Sequence, residues 1–189
     1  MHSNKGKIRI IAGQYRGRRI QVPDRPDLRP TPDRVRETLF NWLGQSLDGL
    51  SCLDLFAGSG ALGFEAASRG AARVVMVEQD RAVFELLKKT RDQIGARQVE
   101  VILEDAFGYL KRMQAFDVVF LDPPFRQNAL PAVFRQLKTA PGVRVYVESS
   151  EPFVPGEPWR ELKRARAGQV SYQLFEWRSD DQGGLPGNV

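Results

Sequence analysis

The sequence predicts a doubly wound α/β fold, and three observations carry that prediction. From residue 50 onward five short apolar runs recur: Cys52-Leu53-Asp54-Leu55-Phe56, Arg73-Val74-Val75-Met76-Val77-Glu78, Val99-Glu100-Val101-Ile102-Leu103, Phe116-Asp117-Val118-Val119-Phe120-Leu121-Asp122 and Val143-Arg144-Val145-Tyr146-Val147-Glu148. Runs this rich in Val, Leu and Ile mark strands covered on both faces. Segments of helical periodicity separate them, and helical spacers between buried strands imply right-handed βαβ crossovers in a parallel sheet. A chain of 189 residues, 42% of them hydrophobic, is also long enough to bury a core without a metal or disulfide staple.

Taken in chain order, Lys7-Ile8-Arg9-Ile10-Ile11-Ala12 and Arg18-Arg19-Ile20-Gln21-Val22 flank Gly13-Gln14-Tyr15-Arg16-Gly17. Their alternation of apolar and basic residues about a Gly-bounded turn predicts a β-hairpin with one cationic face. Pro23, Pro26 and Pro30 enforce an extended connector. Thr31-Pro32 then predicts a helix start, with Thr31 as N-cap and Pro32 at the first helical position. Val35, Leu39, Trp42 and Leu43 form its apolar stripe and Gly44 closes it. Among the later spacers, Asp80 can cap a helix reaching Ile94, with Val83, Phe84, Leu86, Leu87 and Ile94 inward and Gly95 at its end. After Pro152, Pro155 and Pro158, residues 161–166 and 170–177 predict a second hairpin at the far sheet edge. Residues 179–189 have three glycines and no apolar period, which predicts disorder. The expected organisation is a basic hairpin-and-helix extension over 1–44, an α/β domain over 45–178 and a tail over 179–189.

The chain carries 28 Lys+Arg against 23 Asp+Glu, a formal +5. Residues 1–36 hold ten basic and three acidic residues, a net of +7, while the rest holds 18 and 20, a net of −2. So uneven a distribution marks an arm that seeks a polyanion, most simply a phosphodiester backbone; the bland alternative is a solvated basic face. Cys52 has no partner for an internal bridge and reads as a small buried hydrophobe in a reducing compartment. No apolar signal core and no run of membrane-spanning length is present, so the expected location is cytoplasmic, without a membrane partner.

The chemistry-bearing residues sit at strand ends. Asp54-Leu55-Phe56-Ala57-Gly58-Ser59-Gly60-Ala61-Leu62-Gly63 is a strand followed by Gly-x-Gly-x-x-Gly opening a helix, a pattern that lets backbone approach a ligand at the helix N-terminus. Glu78 ends the next strand, where an acid can accept both hydroxyls of a ribose. Together these point to a nucleotide-like cofactor. Asp54 can face the ammonium of an amino-acid moiety, and Asp105, in Glu104-Asp105-Ala106, can accept from an adenine amine, although either can equally cap a helix. Asp122-Pro123-Pro124-Phe125 follows the fourth run. Two prolines remove two N–H donors and leave a rigid turn of carbonyl and carboxylate acceptors, suited to a planar amine, with Phe125 offering a face for a base to stack on. Ligands of open α/β sheets bind outside the carboxyl strand ends, so the Gly loop and this turn should share one crevice.

In this order Asp54–Gly63, Glu78, Asp105-Ala106 and Asp122–Phe125 resemble the motifs of class I S-adenosylmethionine-dependent methyltransferases, the last being typical of those acting on exocyclic nitrogens. Residues 9–18 (RIIAGQYRGR) and 29–41 (RPTPDRVRETLFN) further resemble the RsmD family of bacterial methyltransferases of guanine N2 in small-subunit ribosomal RNA, and the likeness runs from about residue 7 to 178. The resemblance implies a Rossmann-like, seven-stranded sheet whose last strand is antiparallel. It implies S-adenosylmethionine held by Asp54, Phe56, Gly58, Gly60, Glu78, Gln79, Asp105 and Ala106, and catalysis at Asp122, Pro123, Pro124 and Phe125 with no metal. It also implies ribosomal RNA or the assembled small subunit gripped by Arg9, Arg16, Arg18, Arg19, Arg34 and Arg36, and a monomer. Methylation of adenine or cytosine in DNA shares this chemistry, and a nicotinamide oxidoreductase would explain the Gly loop but leave Asp122–Phe125 without a task. A non-catalytic RNA-binding module would leave the whole cofactor loop idle.

Overall fold

The computed structural model describes residues 6–23, 31–124, 128–138 and 140–178. A short hairpin, β1 (Lys7–Arg9) and β2 (Arg19–Gln21), leads to α1 (Asp33–Leu43). The α/β part then runs β3 (Ser51–Asp54), α2 (Ala61–Ser68), β4 (Arg73–Glu78), α3 (Arg81–Ile94), β5 (Val99–Leu103), α4 (Ala106–Arg112), β6 (Val118–Leu121), α5 (Leu130–Gln136) and β7 (Arg144–Ser149). It ends with β8 (Trp159–Ala167) and β9 (Val170–Trp177). Seven strands form one sheet in the order β5-β4-β3-β6-β7-β9-β8. β5, β4, β3, β6 and β7 are parallel, and β9 enters antiparallel between β7 and β8. The chain winds outward from β3 to β5 and then returns to β6 on the other side, so the strand order reverses between β3 and β6. A doubly wound sheet opens its ligand crevice at that switch point.

Strand alternation divides the core. Cys52, Val74, Met76, Phe120 and Tyr146 face one side with α1 and α2, while Leu53, Val75, Val119, Val145 and Phe175 face the other with α4 and α5. Burial pushes the Cys52 thiol up to about 12, so it behaves as the inert apolar group its strand suggests. The hairpin has no core of its own. Ile8, Ile10, Tyr15 and Ile20 join the first cluster, and the Tyr15 and Gln14 N–H groups bond Ser68 Oγ at 2.9 Å and the Ser68 carbonyl at 2.7 Å.

Local signals act as written in most elements. Asp80 accepts from the N–H groups of Ala82 and Val83 at 2.9 and 3.0 Å, and Gly95 ends α3 at φ 74°. The α3 stripe is Val83, Leu87, Thr90 and Ile94, with Phe84 and Leu86 only half-buried. At α1 the expected start is shifted. Pro32, not Thr31, is the capping residue, no side chain caps the helix, and the Thr31 hydroxyl donates instead to Glu148 at 2.9 Å. The second hairpin is longer than the pattern suggested because β8 begins at Trp159. The tail over 179–189 and the Pro26 and Pro30 part of the connector lie outside the described residues. Among the described residues no helix is long and apolar enough to cross a membrane.

Candidate active site

β3 ends at Asp54, and the chain turns through the glycine loop into α2. Gly60 sits at φ 77°, and a Cβ there would lie 2.7 Å from Phe64 Cε2 and Leu87 Cδ2. At Gly63 a Cβ would come within 2.4 Å of Met76 Cε, so this third glycine lets α2 lie close against β4. Two acids brace the loop. Asp54 Oδ2 accepts from the Gly63 N–H at 3.1 Å, and Glu78 takes the Gly58 N–H on one oxygen at 3.0 Å and the Asp80 N–H on the other at 2.8 Å. Asp105 caps α4 through the Phe107 and Gly108 N–H groups, each at 3.0 Å, but remains exposed at the end of β5. Asp54 and Asp105 thus both accept from N–H groups in the first turn of the following helix, Asp54 buried and Asp105 exposed. Phe56 is half-buried beside the loop, Gln79 is exposed after β4, and Ala106 is buried at the start of α4.

Pairing places more than these residues on one edge. Asp54 aligns with Met76 and Phe120, and Phe120 with Tyr146. Two residues further along, on the same sheet face, come Glu78, Asp122 and Glu148. Four acids therefore line the carboxyl edge of β4, β3, β6 and β7. Burial, reinforced by Glu78 and Glu148 and only partly offset by the Gly63 N–H, pushes Asp54 up to about 7. Asp122 is held well above the usual carboxylate range by burial, then by Glu148 and Asp54. Burial also raises Glu78 and Glu148 against their hydrogen-bond donors. An edge that resists its own negative charge suits a positively charged ligand. Among the described residues no three acidic, histidine or cysteine side chains converge where a metal ion could sit.

Asp122 leaves β6 half-buried, Pro123 is buried and Pro124 is exposed. Phe125 lies outside the described residues. Asp54, Gly58, Gly60, Glu78, Asp122 and Pro123 are brought to the same sheet edge, as the strand-end argument requires.

The basic arm divides differently from expectation. Arg9, Arg16, Arg18, Arg19 and Arg34 are exposed. Arg9 and Arg19 are cross-strand partners while the neighbouring pair Ile8 and Ile20 points inward, so the outer hairpin face is cationic. Like charges placed directly opposite destabilise a hairpin, which argues for a use beyond folding. Arg36 is a correction: it cannot grip RNA because it is 0% exposed. Its guanidinium is taken up by Asp33 at 2.6 Å, the Arg9 carbonyl at 2.9 Å and Glu65 at 3.2 Å. Glu65 in turn receives the N–H groups of Ile11 and Ala12 and the guanidinium of Arg69. Arg36 is the peg that fastens the hairpin to α1 and α2.

Sequence reading passed over Glu148. It is 5% exposed, and its Oε1 accepts the hydroxyls of both Thr31 and Tyr146 at 2.9 Å. Its one sequence signal is an acid at the end of the run Val143-Arg144-Val145-Tyr146-Val147.

Comparison with known proteins agrees with this geometry. The chain matches the family model described as conserved hypothetical protein 95 over residues 8–176. It is 45% identical over 184 residues to ribosomal RNA small subunit methyltransferase D of Escherichia coli (strain K12), covering 93% of this chain and 92% of that one. A solved Escherichia coli structure, 42% identical, superposes with a TM-score of 0.84 over 93% of this chain and 100% of that chain. An RNA methyltransferase of Salinibacter ruber, solved with S-adenosyl-L-homocysteine, shares the fold at a TM-score of 0.60 and 22% identity, covering 85% and 98% of the two chains. The sheet order, the glycine loop braced by Asp54 and Glu78, and identity over nearly the full length agree: this chain belongs to the ribosomal RNA small subunit methyltransferase D family.

Proposed function

We propose that the chain methylates the exocyclic N2 amine of a guanine in small-subunit ribosomal RNA, using S-adenosylmethionine. The observation that carries this reading is the shared edge. The Asp122-Pro123 acceptor turn and the Asp54–Gly63 cofactor loop leave adjacent strands on one sheet face at the switch point. When bound, S-adenosylmethionine supplies a methyl group activated by a positively charged sulfur. The acid-lined edge fits it: Asp54 would hold its ammonium, Glu78 the ribose hydroxyls and Asp105 the adenine amine, with Phe56, Gly58, Gly60, Gln79 and Ala106 around them. Asp122 and the Pro123 carbonyl accept the two N–H bonds of the target amine, turn its nitrogen toward the incoming carbon and favour its change from planar to tetrahedral. The amine sheds a proton as it gains the methyl group. Asp122, raised by burial and then by Glu148 and Asp54, accepts a hydrogen bond from the amine as that nitrogen becomes acidic. Phe125 would stack on the base. Arg9, Arg16, Arg18, Arg19 and Arg34 hold phosphates, which position the RNA without selecting the base.

The test is incorporation of labelled methyl into small-subunit RNA, assembled small subunits and DNA, followed by digestion to nucleosides. The expected product is N2-methylguanosine from RNA; label in adenine or cytosine of DNA would replace this reading with the DNA one. Asp122→Ala should keep S-adenosylhomocysteine affinity within about twofold while lowering turnover by at least ~100-fold, the scale of a lost acid–base or positioning group. Equal turnover in the two proteins would remove Asp122 from the mechanism.

A further inference from the structure

The mechanism above leaves one buried acid of the edge unused. Glu148 is the last but one residue of β7, and the pairing of Leu121 with Val147 sets it beside Asp122, which directly follows β6. Both hydroxyls that reach Glu148, from Thr31 and Tyr146, donate to Oε1. Its Oε2 carries no hydrogen bond among the described residues. A buried carboxylate with one oxygen fixed by two donors is oriented, and its other oxygen is left as an acceptor beside the amine-binding turn. Placing a second carboxylate there is costly, since Glu148 is the largest charged influence on Asp122.

The three nucleobases with an exocyclic amine differ at the ring nitrogen next to it. In adenine and cytosine that nitrogen is an acceptor; the guanine amine has two such neighbours, N3, an acceptor, and N1–H, a donor that the other two bases lack. We infer that Glu148 is a specificity-determining residue: its Oε2 accepts the N1–H of guanine while Asp122 and the Pro123 carbonyl receive the adjoining amine. An adenine or cytosine in this position would set a lone pair against the carboxylate, an unpaired buried acceptor that hydrogen-bonding sites reject strongly. The inference rests on the guanine reading of the preceding section. It also gives Thr31, the residue that does not cap α1, a task in the site, aiming Glu148 from the N-terminal extension.

The experiment replaces the guanosine that takes up label in the wild-type reaction by 2-aminopurine riboside, which keeps the amine but has an acceptor at N1. Wild type should methylate guanine at least ~100-fold more efficiently than 2-aminopurine in kcat/KM. In Glu148→Gln the amide oxygen takes the two hydroxyls and the NH2 group faces the ring, opposing N1–H but matching a bare N1. Activity on guanine should fall about 10- to 100-fold while activity on 2-aminopurine holds or rises, so the preference collapses. Equal losses on both bases, or an unchanged preference, overturn the inference. Melting temperature and S-adenosylhomocysteine affinity report whether the variant folds. If it does not, Tyr146→Phe, which removes one aiming hydroxyl, is read by the same ratio: a reduced preference supports the role and an unchanged one overturns it. A wild-type product on adenine or cytosine would instead defeat the guanine reading itself, and is seen directly in the nucleoside digest.

Discussion

Arg36 and Arg18 look alike in the sequence, both in the basic arm, yet the structure gives them opposite tasks. Arg18 is exposed, while Arg36 is buried against Asp33 and Glu65. Arg36→Met should cost about 3 kcal/mol in urea unfolding, because it strips a partner from a buried, hydrogen-bonded acid. Arg18→Gln should change stability by less than about 0.5 kcal/mol; equal effects would mean that the peg carries no load. Asp54 supplies a test in pH. Its folded value of about 7 lies above its unfolded value of about 4, so between those values the folded protein keeps a proton that the unfolded chain releases. Stability therefore falls as pH rises from about 4 to 7 and stays reduced above. Asp54→Asn should flatten that fall, raise the urea midpoint at pH 8 and weaken S-adenosylhomocysteine binding; parallel pH profiles in the two proteins would contradict the burial argument. Asp54, Glu78 and Asp122 were legible in the sequence because short spacings tie them to strand ends. Arg36 and Glu148 were not, because each also takes a partner from a segment far away in the chain, Arg36 meeting Glu65 across 29 positions and Glu148 meeting Thr31 across 117.

At the scale of elements, the parallel strands were legible because burial on both faces leaves runs of Val, Leu and Ile that little else explains. Caps were legible where the side chain reaches the N–H groups of its own helix, as at Asp80. Thr31 shows the limit, since a buried carboxylate draws its hydroxyl away from the helix end. The hairpin of β1 and β2 was read from alternation, and its register adds that Arg9 faces Arg19. If that face meets phosphate, replacing Arg9, Arg16, Arg18 and Arg19 by Gln should lower the slope of log RNA affinity against log salt by about 3, each lost contact removing about 0.7 to 0.9. The folded protein should be no less stable, because the change also relieves a like-charged cross-strand pair. An unchanged salt slope would move the phosphate contact to another surface.

For the whole molecule, the two signs of charge are kept apart: an exposed cationic hairpin, and acids along the carboxyl edge of the sheet. On the proposed reading RNA phosphates would be drawn to the arm and away from the edge, so the polyanion would not compete for the cofactor site. The same separation tells two nucleotide-like cofactors apart. On the proposed reading S-adenosylhomocysteine would bring an ammonium to Asp54 and no phosphate, whereas NAD would bring a diphosphate to an edge lined by four acids. A ligand that binds only the folded state at about 100 times its Kd adds about 2.7 kcal/mol, which for a chain of this length raises Tm by about 7 °C. S-adenosylhomocysteine should produce that rise and NAD at the same concentration none. The rise should survive an increase in salt that releases RNA, because buried charge pairs are screened far less than surface ones. A rise with NAD would mean that the acid row does not select its ligand by charge.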